Sequence, residues 1–265
     1  WKYIFATLST SEQYLASAID LAAENAEALG KKPHEIKVAV VVDNDPFSAD
    51  VRAGVVEDME KYGMKLVIDD QFPRDLNDMS ATLTKIKALK PDVLIVSGHS
   101  KGAATAVRQI SEQKVSVPVL AMTHCDSADI IGNFGDAAEY TLCATQWAPS
   151  LAYKDDLFGS ASDYAKTFEA KFGYAPPYQA AGASSLAAAT RSGLERAGTT
   201  DKNAVRDALA ATDMETFYGK IKFDETGKNI AKPMALYQVL DGQFKIVAPS
   251  GVAETKAVIP RPAMN

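Results

Sequence analysis

Residues 98–102 read Gly-His-Ser-Lys-Gly, preceded by the apolar run Asp92–Val96 and followed by a helical pattern over Ala103–Gln113. This is the G-x-S-x-G order in a strand-turn-helix setting, where a serine stands exposed at the top of a sheet as a nucleophile. Such a serine needs a histidine to take its proton and an acid to orient that histidine, in the chain order serine, acid, histidine. The chain has three histidines, and His34 precedes Ser100. His99 is its neighbour in a tight turn and points away from it. His124 belongs to the next strand-end loop, and the one acid between them, Glu112, lies mid-helix. There is no His-Gly-Gly stretch upstream for an oxyanion hole, and Lys101, adjacent and solvated, keeps its proton. A serine hydrolase using Ser100 therefore stays a distant alternative. The small residues fit a strand-to-helix turn whose free N–H groups can hold the polar end of a ligand.

Other reactive patterns are weaker. No G-x-G-x-x-G follows the first strand and no Walker sequence occurs. Asp43-Asn44-Asp45 lacks the glycine and the downstream acid of a calcium loop, so it reads as a turn after a strand, with no metal expected. Cys125 and Cys143 suit neither a zinc site nor a redox pair. They read as two small buried thiols, with a disulfide as the alternative in an oxidising compartment. A net charge of −6 without a basic run argues against nucleic acid as a partner. No apolar stretch has the length of a membrane span. Trp1 is not a natural start, so the lack of a leader says nothing about compartment.

The elements that must position these residues follow from periodicity. Residues 3–8 form a strand-like run. Apolar positions at Leu15, Ile19, Ala22 and Ala26 predict a helix from Glu12 to about Leu29, after N-cap hydroxyls at residues 9–11. Strands are expected at Lys37–Val42, Lys65–Asp69, Asp92–Val96, Val117–Ala121 and Tyr140–Thr145. Helices are expected at Ser48–Tyr62, Met79–Leu89, Ala103–Gln113 and Ser127–Phe134. The β-branched run at Lys37–Val42 fits a strand covered on both faces. The alternation argues for an open parallel sheet with helices on both faces, whose ligands bind beyond the carboxyl ends of the strands. The loops to watch are 43–48, 97–102, 122–127 and 146–150.

Beyond Pro149, helices are expected at Ala161–Phe172, Tyr178–Ala197 and Asp201–Ala211. A hairpin is predicted over 217–230 around Asp224–Gly227, and a second around Asp241-Gly242. The tail, 249–265, is Pro-rich and extended. Residues 149–232 thus supply helices with almost no sheet for them to cover, and that unit looks incomplete.

The order KVAVVVDNDPFSADVRAGVVEDMEKYGMKLV, FPRDLNDMSATLTKIKALKPDVLIV, GDAAEY, FGYAPPYQAAG, AVRDALAATD, GKIKFDETGKN and YQVLDGQF resembles the periplasmic substrate-binding proteins of branched-chain-amino-acid-type ABC transporters, the Leu/Ile/Val-binding class. The resemblance covers essentially the whole chain. It implies an α/β type I periplasmic binding fold: two Rossmann-like lobes with parallel sheets, joined by three crossing segments, with a solute clamped between them by hinge motion. Residues 10–148 plus 233–265 would be the complete second lobe. Residues 1–9 plus 149–232 would be the remainder of the first, about a third of a typical member being absent before Trp1.

The resemblance further implies a non-enzymatic, periplasmic receptor without a cofactor, which hands an amino acid, amide or aromatic acid to an ABC permease. A ligand-sensing regulatory domain of the same fold is the alternative. The site residues it implies are Phe47, His99, Ser100, Thr123, His124, Asp126, Gln146, Trp147 and Tyr178. Amino-acid binders often carry an acid near Thr123 and His124, to pair the ligand's ammonium. Here Asp126 is the nearest acid, which counts against an α-amino acid.

Overall fold

The structure is a computed structural model that describes residues 2–74, 77–126 and 128–262. Expectations that touch Trp1, Asp75, Leu76, Ser127 and 263–265 lie outside the described residues. The chain forms two compact units. The larger comprises residues 11–145 and 234–265, the smaller residues 1–10 and 146–233.

The larger unit begins with a 3₁₀ turn, Ser11–Gln13, and then α1 (Ala16–Glu24). The single helix expected over 12–29 is therefore broken and shortened. At its end the Leu21 carbonyl accepts from both the Asn25 backbone N–H, at 3.0 Å, and the Asn25 side-chain amide, at 2.8 Å. Alternating strands and helices follow: β1 (Lys37–Asp43), α2 (Pro46–Tyr62), β2 (Lys65–Phe72), α3 (Ser80–Leu89), β3 (Val93–Ser97), α4 (Ser100–Glu112), β4 (Val119–Met122), α5 (Ala128–Phe134) and β5 (Leu142–Thr145). Helix α2 starts where the Asp45 carboxylate accepts from the Ser48 N–H, with Pro46 at the first position. It stops at Gly63, whose φ of 66° is the left-handed geometry glycine tolerates.

In the smaller unit, β6 (Lys154–Asp155) and β7 (Gly159–Ser160) pair briefly. Three helices follow: α6 (Ala161–Phe172), α7 (Tyr178–Ala197) and α8 (Lys202–Ala210). A hairpin of β8 (Asp213–Thr216) and β9 (Gly219–Lys222) ends the unit. Back in the larger unit, β10 (Ala235–Leu240) and β11 (Gln243–Ala248) form the hairpin expected at Asp241-Gly242. Both turn residues have positive φ, 52° and 68°, as a tight type I′ turn requires.

The sheet of the larger unit runs β11-β10-β5-β4-β3-β1-β2. Strands β1 to β5 are parallel, whereas β10 and β11 add an antiparallel edge, so the sheet is mixed. In β1, Val38, Val40 and Val42 enter one apolar core, with Tyr14, Leu15 and Ile19. Ala39 and Val41 enter the other, with Leu83, Val107 and Met122. This is the two-sided burial the β-branched run predicts.

Three expectations are corrected. Residues 3–8 make no strand, only an isolated bridge from Ala6 to Lys228. The first hairpin pairs 213–216 with 219–222. Around 224–227 there is one bridge, Phe223 to Asn229, and the Asp224 carboxylate gathers the N–H groups of Thr226 and Lys228 into a side-chain-capped turn. The cysteines are not free thiols. Parallel register sets Met122 beside Cys143, which brings Cys125 within a Cα separation of 5.3 Å, and the two are bonded. For a loop closed over 18 residues, the bond is worth about 3 kcal/mol in chain entropy.

Candidate functional site

Three parallel strands of the larger unit, β1, β3 and β4, end side by side, and their following loops make one rim. The first loop contributes Asp43, Asn44 and Asp45 and leads to Phe47 in the first turn of α2. The second contributes Ser97, Gly98 and His99, and the third Thr123 and His124. Tyr14 joins them from the segment between the 3₁₀ turn and α1. The Tyr14 and Phe47 rings meet edge to face with centroids 4.9 Å apart. His124 lies 5.2 Å from Phe47 and 5.2 Å from His99, and Phe47 lies 5.9 Å from His99. The result is an aromatic wall of four rings, buried at Tyr14 and open at His99.

Polar groups underlie the wall. The Thr123 hydroxyl donates to Ser97 Oγ at 3.4 Å, Ser97 to Ser48 Oγ at 3.2 Å, and Ser48 to Asp45 Oδ2 at 3.0 Å. His99 Nε2 is 3.5 Å from the same Asp45 oxygen. Burial pushes the Asp45 carboxyl up, but the Ser48 amide and hydroxyl with His99 nearby outweigh it and hold it below the usual carboxylate range. Asp43 is also buried, directly beneath Gly98, where a Cβ would sit 3.2 Å from its carboxylate. Burial, with His99 nearby, pushes the His124 imidazole down to about 4, so it is neutral at pH 7. Its Nδ1 is buried without a hydrogen-bond partner among the described residues.

Ser100 opens α4 and is exposed. His99, the N-cap of α4, makes no side-chain hydrogen bond to the helix, so the first-turn N–H groups have no side-chain cap. The two imidazoles at this rim suit a hydrolase poorly. His99 directs Nε2 to Asp45, and a histidine titrating near 4 is a weak base at neutral pH.

The structure brings Phe47, His99, Ser100, Thr123 and His124 to one rim. Asp126 is engaged elsewhere: burial raises its carboxyl, and the Thr145 hydroxyl partly offsets this. Gln146, Trp147 and Tyr178 fall in the smaller unit. Gln146 is buried, accepting from Ser9 N–H at 3.0 Å and donating to Ser9 O at 3.1 Å. Trp147 is a core residue there, its indole N–H donating to Phe217 O at 3.0 Å and its ring edge-on to Tyr164 and Phe217. Tyr178 is the half-buried first residue of α7. Sequence reasoning missed Tyr14, which sits inside a stretch that reads as helix. It also missed Lys232, whose ammonium is buried in the smaller unit against Gln146 O and over the Tyr218 ring at 4.6 Å.

The profile of the periplasmic binding protein family matches residues 2–243. The chain belongs to the periplasmic binding protein family. Leu/Ile/Val-binding protein homolog 7 of Brucella suis is 24% identical over 247 residues, covering 89% of this chain and 61% of its own length. The chain thus spans about three fifths of the length of that curated relative. Leucine binding protein of Thermotoga maritima superposes with a TM-score of 0.78 at 20% identity, over 93% of this chain and 67% of that one. A solute binding protein of R. palustris, solved in complex with benzoate, gives 0.75 at 16% identity, over 97% and 69%. These likenesses show the periplasmic binding protein fold, in a family of non-enzymatic binders. No helix among the described residues is long and apolar enough to cross a membrane.

Proposed function

We propose that this periplasmic binding protein captures a small apolar or aromatic carboxylate at the Tyr14–Phe47–His99–His124 rim and presents it, outside the cytoplasm, to an ABC permease. The observation that carries this reading is the convergence of four rings at the ends of β1, β3 and β4, beside the uncapped first turn of α4. Such a wall takes a flat or branched apolar body, and the free N–H groups with the exposed Ser100 receive its carboxylate. An α-ammonium fits less well. Asp43 and Asp45 are buried, and Asp45 is occupied by Ser48 and His99. A desolvated ammonium without an accessible acid is costly. The relative whose name cites leucine and the one solved with benzoate supply the two probes that separate these solutes.

We read the smaller unit as the remainder of the first lobe of the same receptor. Its relatives are longer, and Ile4, Leu157, Phe172, Tyr174, Leu186 and Ile230 stand exposed in it. Isothermal titration with benzoate and leucine tests the site. Benzoate is expected to bind more tightly than leucine, and Phe47→Ala to weaken it at least about tenfold through loss of the central ring. Binding unchanged by Phe47→Ala, or a clear preference for leucine, would overturn the reading.

A further inference from the structure

His124 stands between two anchors. On one side the Thr123 N–H donates to Val96 O at 3.1 Å, and its hydroxyl reaches Ser97 at the end of β3. On the other side Cys125 is bonded to Cys143 within β5. Between them His124 has φ 53°, a left-handed conformation that is uncommon for a residue with a Cβ. The two flanks also part company in the core. Both cysteines are buried with Met122 and Val96 on one face of the sheet, whereas the His124 ring contacts Tyr14 and Phe47, which pack on the opposite core. The imidazole does not hold itself in place by hydrogen bonding at Nδ1, since that atom has no partner among the described residues.

We propose that the Cys125–Cys143 disulfide is a positioning device for the solute rim: it pins the residue after His124 to β5 and thereby holds the imidazole inward against Tyr14, Phe47 and His99. This rests on reading that rim as the solute site. Without the bond, the loop after β4 is free to leave the left-handed turn, and the ring swings toward water.

The test uses the whole chain with Cys125→Ala and Cys143→Ala together, and a second variant, Cys125→Val with Cys143→Ala, that restores lost volume. The first readout needs no solute. Imidazole NMR titration, with the signal assigned by its loss in His124→Gln, follows a ring that titrates near 4 in the intact protein and is faced by His99 and Asp45. In both variants it is expected to rise toward the ordinary histidine value of about 6.5 as the ring gains water. The second readout is benzoate affinity, expected to weaken about tenfold, the cost of re-ordering one backbone residue on binding. A folded variant with an unchanged His124 titration overturns the proposal, as does failure of both variants to fold, which would make the bond purely structural. Failure of the site reading looks different: His124→Gln and Phe47→Ala would leave benzoate and leucine affinities unchanged while the NMR shift still occurred.

Discussion

Gly54→Ala is expected to destabilise the protein severely, lowering its Tm by roughly 10 °C. Gly54 lies in the middle of α2, and a Cβ built there would sit 2.0 Å from Glu12 O and 2.7 Å from its carbonyl carbon. The obstacle is backbone, not a side chain that can swing aside. It belongs to the 3₁₀ turn Ser11–Gln13, which packs on α2. Relief requires α2 to separate from that turn, and the core of Leu15, Ile19, Val51 and Val55 lies beneath. Overpacking of this kind costs about 3 kcal/mol or more. The damage also reaches the rim, because the residue after the turn is Tyr14, whose ring meets Phe47. Thermal denaturation and benzoate titration of the purified variant check this. A variant within a few degrees of the parent, binding benzoate equally, would show that the turn yields cheaply.

The second large effect is a pH dependence set by Lys232. Its ammonium is almost wholly buried, donating to Gln146 O, to Gln146 Oε1 at 3.2 Å and to Ser9 Oγ at 3.5 Å. Gly219 makes room for its stem, since a Cβ there would lie 3.0 Å from Lys232 Cδ. Burial pushes the amine down to about 7. In the unfolded chain it titrates near its ordinary value of about 10.4. Between these two values the unfolded state binds the extra proton, so stability rises with pH, and below pH 7 the full cost of the buried charge is felt. From pH 7 to pH 9 this group alone adds about 2–3 kcal/mol. Urea midpoints of the parent and of Lys232→Met, measured across that range, isolate the effect because other titrations cancel. The parent is expected to gain on the variant as pH rises; parallel curves would mean the amine keeps its charge inside.

Much of the fold could be read from local chemistry. Helices α6 and α7 end where Gly173 and Gly198 take left-handed turns, and those boundaries are visible in sequence because only glycine enters that region freely. The β-branched run of β1 announces burial on both faces, and Asp241-Gly242 announces its turn. The early break at Tyr14 was not legible, because Leu15, Ile19, Ala22 and Ala26 keep helical spacing although the backbone before Ala16 turns as 3₁₀. The true place of the β8–β9 hairpin was equally hidden. Asp224-Glu225-Thr226-Gly227 carries the stronger turn signal, while pairing is decided by Phe217 and Tyr218, both fully buried.

At the rim, the residue types that follow each parallel strand were set by sequence alone: Phe47 after β1, His99 and Ser100 after β3, Thr123 and His124 after β4. Strand-helix alternation places such loops on one edge whatever the details of packing. Tertiary structure decided which of them meet. It brought Tyr14 across to Phe47, committed Gln146 and Trp147 to hydrogen bonds and packing in the smaller unit, and joined Cys125 to Cys143. Periodicity reports which way a residue faces along its own element; strand order and register, set by burial of the whole core, determine which distant residue it faces.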